Sequence, residues 1–238
     1  MNEATILENT IKAWLAKPNQ MNALGALAEC ESLSQELKEM LRSTPAAGRQ
    51  LGPLNAELHR AQRHLTQAKD ISWLPIGNGH LAIGHRPGTE LLQGIRVVGG
   101  THVLTLLSEG EEASAVGRDA ERCNLSWLWF PMKSAHPPTE DRAAELQTLF
   151  VVAAEALKGG AGIYLHCSAG IHRTGMVAYA FLRYFGCDAG EAWSKLANLR
   201  SVTQSQVGEH RIAWADGFGE ACALAESQTV YPIPGQQV

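Results

Sequence analysis

Ten consecutive residues, His166-Cys167-Ser168-Ala169-Gly170-Ile171-His172-Arg173-Thr174-Gly175, bring together a soft nucleophile, a rigid cation and two glycines. Cys167 offers sulfur as an attacking atom. Arg173, six positions on, offers a planar fork of donors that matches two oxygens of a phosphate. Gly170 and Gly175 let the backbone bend tightly and approach a ligand closely. None of the other four cysteines has an arginine six residues later. The chemistry this predicts is a phosphate cradle that carries its own nucleophile, with Ser168, Ala169, Gly170, Ile171, His172 and Arg173 lining it. A thiol beside an arginine and a helix N-terminus has its pKa drawn down to about 3.5–7.5. The thiolate can then attack phosphorus and form a covalent intermediate. The Thr174 hydroxyl is placed to donate to the sulfur and ease its later departure.

The flanking residues position this loop. Ala161–Leu165 is a short apolar run after Gly159-Gly160 and reads as a buried strand. Met176–Leu182 is apolar almost all round, reads as a helix, and stops at Gly186, a natural C-terminal cap. Strand, glycine-bearing loop and helix put the loop amides at a helix N-terminus, where amides and dipole favour an anion. Upstream, Ile71–Ile76, Leu81–Gly84, His102–Leu107 and Trp127–Pro131 read as strands. Thr89–Val98, Glu111–Cys123 and Thr139–Leu157 read as helices between them, the last capped by Thr139. Asp188-Ala189-Gly190-Glu191 has the spacing of a capping box, and a last helix is expected from Thr203 to Ala225. This alternation predicts an α/β fold with a mainly parallel central sheet flanked by helices. The cradle would lie at the carboxyl edge of a strand.

Residues 1–70 differ in texture. Leu24, Leu27, Leu33, Leu37 and Leu41 recur at near-helical spacing, as do Leu51, Leu54, Leu58, Ala61 and Leu65, with breaks at Pro18 and at residues 43–48. Two or three amphipathic helices are expected, either packed on the rest as a structural extension or serving as a docking element for a protein partner. The expected organisation is a helical extension over 1–70, a catalytic domain over 71–226 and a tail over 227–238.

The string from His166 to Gly175 resembles the signature loop of the cysteine-dependent protein tyrosine phosphatases, with His172 where many members carry glycine. The resemblance covers about residues 70–220, and its spacing is most like the dual-specificity and kinase-associated phosphatases. It implies Cys167 as nucleophile, Arg173 as phosphate clamp, Thr174 as leaving-group helper and His166 as a structural residue ordering the loop. It also implies a general-acid aspartate in the loop after Pro131, and by the Pro-x-x-Asp pattern that position holds Ser134. His136 and Asp141 are the candidate substitutes, Asp141 also suiting the start of a helix. A glutamine that orients the hydrolytic water would fall on Gln206, with Gln204 nearby. Family members that act on phosphoinositides often carry lysine at the positions of Ser168 or His172, and neither is lysine here.

Composition narrows the setting. A net charge of −4 gives no reason to expect a nucleic-acid partner. No apolar run reaches the span of a membrane helix, and Met1-Asn2-Glu3-Ala4 does not open like a secretion signal. The five cysteines form no disulfide framework, and Cys30, Cys123, Cys187 and Cys222 are expected to be small buried residues. No Cys/His cluster has zinc spacing, so neither metal nor organic cofactor is expected. A reactive thiolate needs a reducing compartment, which points to the cytoplasm. The expected activity is hydrolysis of phosphotyrosine, with phosphoserine and phosphothreonine as further candidates, through a cysteinyl-phosphate. Two alternatives stand beside it: an inositol-phosphate or phosphoinositide phosphatase, and a phosphate-binding pseudophosphatase.

Overall fold

The computed structural model describes residues 2–16 and 21–228. Pro18 and the tail beyond Gln228 lie outside the described residues. Three helices open the chain: α1 Glu3–Ala16, α2 Ala23–Ser43 and α3 Gly48–Ala68. The Asn22 side chain starts α2 by accepting from the Gly25 amide at 2.9 Å. A 3-10 turn at Pro45–Ala47, with proline at its first position, fills the expected break. Leu51, Leu54, Leu58, Ala61 and Leu65 form the buried face of α3 as the spacing predicts. Leu24 departs from its expected place and is exposed. The buried stripe of α2 runs through Ala23, Ala26, Cys30, Leu33 and Leu37, which turns the neighbouring Leu24 outward.

Five strands follow: β1 Leu74–Ile76, β2 Gly79–Gly84, β3 His102–Leu107, β4 Ser126–Met132 and β5 Gly162–His166, in the order β1-β2-β5-β3-β4. Only β1 is antiparallel to its neighbour. β5 is central and every one of its residues is buried, as a strand covered on both faces should be. The remaining helices are α4 Thr89–Val97, α5 Ala113–Arg122, α6 Glu140–Lys158, α7 His172–Tyr184, α8 Ala189–Leu199, α9 Ser201–Gln206 and α10 Glu209–Gln228. On one face α5 packs over β4, where a side chain at Gly117 would strike Trp127. On the other face Phe150 of α6, Phe181 of α7 and Phe218 of α10 form one aromatic cluster, with ring centroids 4.8 and 5.7 Å from Phe150. The α/β class and the mainly parallel sheet are as expected. The amino-terminal helices join the same core. Gly94 of α4 lies so close to the His64 carbonyl of α3 that no side chain fits there.

Three expected elements differ. Residues 71–73 do not extend β1, because the Ile71 amide still caps α3 through the Ala68 carbonyl (3.1 Å). The helix expected over 111–123 is broken. A 3-10 turn at Glu109–Glu111 is closed by a capping box between Ser108 and Glu111, and Glu112 takes a left-handed φ of 59° before α5 begins. The helix expected over 203–225 is also broken, by Gly208 at φ 93° between α9 and α10. The end of α7 matches its expectation. Gly186 at φ 81° and Cys187 donate back to Arg183 and Leu182, closing a Schellman cap.

Candidate active site

The ten-residue string runs from the end of β5 through a loop into the first turn of α7, at the carboxyl edge of the sheet. Gly170 makes its bend possible. It sits at φ 70°, and a side chain there would overlap the Gly84 backbone at the end of β2. Gly175 serves packing, since a Cβ would stand 2.8 Å from Val207 and 3.0 Å from Thr203. The loop's carbonyls are tied from behind. Thr203 donates to the Gly170 carbonyl at 2.6 Å, and Arg200 donates to those of Ala169 and Gly170 at 3.1 and 2.9 Å. With these carbonyls tied, the Gly170 and Thr174 amides are directed at the Cys167 sulfur.

His166 is wholly buried, and both ring nitrogens have partners. A carbonyl can only accept, so Nδ1–H donates to the Cys167 carbonyl (3.1 Å) and Nε2 accepts from the Thr105 hydroxyl (2.8 Å). Thr105 in turn accepts from Trp127 Nε1–H at 2.9 Å. This directed chain fixes the tautomer. Burial is the main reason the ring's pKa falls to about 4, so it stays neutral.

Cys167 is buried, at 4% exposure. Burial is the largest single influence on its thiol and acts upward. The Thr174 hydroxyl and amide, the Gly170 amide and the Arg173 charge together outweigh it, and the net shift is downward. The Thr174 hydroxyl is itself buried with no oxygen or nitrogen partner, which leaves it for the sulfur.

Arg173 is aimed by a residue that the motif does not contain. Its Nη1 and Nη2 each donate to one oxygen of Glu111 at 2.7 Å, and Nη1 also donates to the Met132 carbonyl at 2.7 Å. Glu111 also accepts from Ser168 Oγ (3.0 Å) and from the Ser108 amide (3.0 Å). The guanidinium first, then Ser108 and Ser168, hold its carboxyl well below the usual carboxylate range, against some burial. A guanidinium has five N–H groups. Three are used here, and the Nε–H and the second Nη2–H share the remaining edge. The guanidinium also bonds the Cys167 sulfur, and Nη2 makes a weak 3.4 Å contact to Ser168 Oγ. Such an edge can grip two oxygens of one phosphate.

The other sequence-predicted residues are less engaged. His172 is exposed, and no side-chain partner is found for it among the described residues. Ile171 lends its carbonyl to the Gly175 amide at 2.8 Å. Ser134 and His136 are exposed on the loop after β4, where the His136 amide donates to Ser134 Oγ at 3.3 Å. Asp141 is exposed in the first turn of α6. The Thr139 hydroxyl donates to it and lowers its pKa, which favours a charged helix-start residue over a proton donor. Gln206 is exposed at the end of α9 and makes no side-chain hydrogen bond to a described residue. Gln204 turns into a groove lined with Tyr179, Trp193 and Ile212. Glu111, Arg200, Thr203 and Thr105 escaped the sequence reading. Of these, only Glu111 left a local signal, the Ser108-x-x-Glu111 spacing of a capping box.

The sequence matches no protein-family model and no curated protein. Solved structures do match. A kinase associated phosphatase with its catalytic-site cysteine replaced by serine superposes with a TM-score of 0.53 at 16% identity, covering 64% of this chain and 95% of that one. PTPMT1 gives 0.54 at 17%, over 66% and 99%. Tk-PTP in its active form gives 0.52 at 18%, over 63% and 97%. The fold is that of the cysteine-dependent tyrosine phosphatases. These structures share the arrangement of sheet and helices with this chain while differing at more than four-fifths of the aligned residues. No described helix is long and apolar enough to cross a membrane.

Proposed function

We propose that this chain hydrolyses phosphoric monoesters, phosphotyrosine-like aryl esters first among them, through a cysteinyl-phosphate. The observation that carries the reading is the acidified Cys167 thiol beneath the Thr174 and Gly170 amides, beside an arginine whose outer edge is left for a phosphate. The amides of the loop and the edge of Arg173 would bind the phosphoryl oxygens, and Ser168, Ala169, Ile171 and His172 would line them. The Cys167 thiolate attacks phosphorus, the P–S bond forms and the ester P–O bond breaks. The leaving oxygen departs as a phenolate or takes a proton from the loop over 133–138, where His136 is the proposed donor. Water, oriented by Gln206, then attacks the phosphorus of the cysteinyl-phosphate and passes its proton to His136; the P–S bond breaks and the sulfur leaves as a thiolate stabilised by the Thr174 hydroxyl. Asp141 is the weaker candidate for the acid, for the reason given above. Such a thiolate needs a reducing setting, and we place it in the cytoplasm.

A second reading is an inositol-phosphate or phosphoinositide phosphatase. It is favoured by exposed His85, Lys133 and His172 next to the cradle, for which no carboxylate partner is found among the described residues. PTPMT1, of like fold, has been solved with PI(5)P. One experiment sorts the readings. Full-length protein and Cys167→Ser are assayed on 4-nitrophenyl phosphate, phosphotyrosine and phosphoserine peptides, inositol phosphates and phosphoinositides, with vanadate as inhibitor. Vanadate-sensitive turnover fastest on aryl esters supports the proposal. A preference for the inositol compounds favours the second reading. No turnover with phosphate still bound indicates a pseudophosphatase.

A further inference from the structure

Arg211 does something that neither the motif nor the fold comparison calls for. Its Nε–H donates to the Ala135 carbonyl at 2.6 Å, in the loop after β4, and its Nη1–H donates to the Val207 carbonyl at 2.9 Å. It is half-buried, and no carboxylate partner is found for it among the described residues. A partly buried cation spent on two backbone carbonyls is a fastening, because charge-assisted bonds of this kind are about twice as strong as neutral ones. Both ends of the fastening matter. Ala135 lies between Ser134, which occupies the position of the family's acid, and His136, the proposed proton donor. Val207 is fully buried against Gly175, next in sequence to Thr174. The turn that carries Val207 also follows Thr203, which holds the Gly170 carbonyl.

The broken helix has a physical reason in this contact. At Gly208, with φ 93°, a Cβ would stand 2.9 Å from Arg211 Nη1. Glycine therefore supplies both the left-handed turn and the room the guanidinium needs. Had the helix continued from Thr203 to Ala225, the Val207 carbonyl would accept from the Arg211 backbone amide four residues on, and the break leaves it to the guanidinium.

We propose that Arg211 is a positioning residue that clamps the loop over 133–138 to the cradle, holding its proton donor at the distance the leaving group requires. This rests on the loop's role under the proposed function. A misplacement of about 1 Å in a catalytic group can cost on the order of a hundredfold. The loss falls on leaving groups that need a proton and spares those that do not.

The test uses the full chain and a series of phenyl phosphates of rising leaving-group pKa. Arg211→Ala is expected to cut kcat about tenfold on the least activated phenol, a fraction of the 10²–10⁴ that general acid catalysis typically supplies. It should change kcat little on 4-nitrophenyl phosphate. Arg211→Lys should recover part of the loss. The pH profile of Cys167 alkylation by iodoacetamide should not move. An unchanged slope of kcat against leaving-group pKa in Arg211→Ala overturns the clamp. So does an alkylation profile that shifts along with the slope, since that marks damage to the cradle. His136→Ala separates the two levels: a steeper slope in Arg211→Ala with none in His136→Ala keeps the clamp and removes His136 as donor. Hydrogen exchange at residues 133–138 answers without any turnover. It should quicken in Arg211→Ala, or in Arg211→Lys if the alanine variant does not fold, and exchange like that of the wild type in the folded variant overturns the clamp.

Discussion

All five cysteines are buried, so burial does not distinguish Cys167 from the rest. Burial pushes the thiols of Cys30, Cys123 and Cys222 up, the last to about 11, whereas Cys167 moves down. What separates it is the set of amides, hydroxyl and guanidinium around the sulfur. Cys167→Ser should abolish turnover and keep phosphate-ester binding, because the loop amides do the binding. Arg173→Lys should lose both, since a point charge cannot span two oxygens; kinetics and titration with a phosphotyrosine peptide check the pair. The acid limb of the kcat/KM profile should lie below the ordinary thiol range, as activity rises with the thiolate fraction. His166 supplies a stability signature with a definite sign. Its folded pKa, about 4, lies below the unfolded value near 6.5, so the unfolded chain binds more protons between them. Stability should be full above pH 6.5 and fall as pH drops toward 4, by on the order of 3 kcal/mol at most. Urea midpoints at several pH values measure this, and a flat profile would count against a buried neutral imidazole.

At the scale of elements, the loop works because four segments hold it: the end of β2, the turn before α5, α9 with its N-cap Arg200, and α7 itself. Gly170→Ala should cost at least a hundredfold in turnover, since the side chain would overlap backbone at Gly84 and the cradle must open to admit it. Glu111→Gln removes the charge that fixes the Arg173 plane while keeping the shape. It should raise KM and lower kcat together, by roughly tenfold in kcat/KM, in line with the ~1.5–3 kcal/mol of a hydrogen bond to a charged group. Steady-state kinetics with Glu111→Asp as a partial rescue reads this out. Two of these segments come from the elements that the sequence pattern misjudged, the broken helices at 111–123 and 203–225. Each break frees a residue to turn toward the site, Glu111 in one case and Arg211 in the other.

At the scale of the molecule, the amino-terminal helices and the α/β layer share one continuous apolar core. The apolar face of α3 is used against α4, which argues for a structural extension over a docking element. Gly94→Ala should lower the melting temperature, because its methyl would meet the His64 carbonyl; overpacking of this kind costs about 1–3 kcal/mol. Removing residues 1–68 should uncover the face of α4 around Gly94, now packed on His64 and Ala68 of α3, and give an insoluble fragment. A soluble fragment with normal 4-nitrophenyl phosphate turnover would show that the extension is dispensable.

The sequence by itself determined the cradle and the strand–loop–helix around it, because Cys167, Gly170, Arg173 and Gly175 act within ten residues and their flanks are plainly apolar. It also determined the fold class, through the alternation of apolar runs with amphipathic segments, and the Schellman stop at Gly186. Only the tertiary structure decided what aims the parts. The partners of Arg173, His166 and the Gly170 carbonyl lie 62, 61 and 33 residues away in the chain. No local period or spacing records such a contact. It arises when β3, β5, α7 and α9 are packed together, and only then do an ordinary capping glutamate and a buried threonine acquire their place in the site.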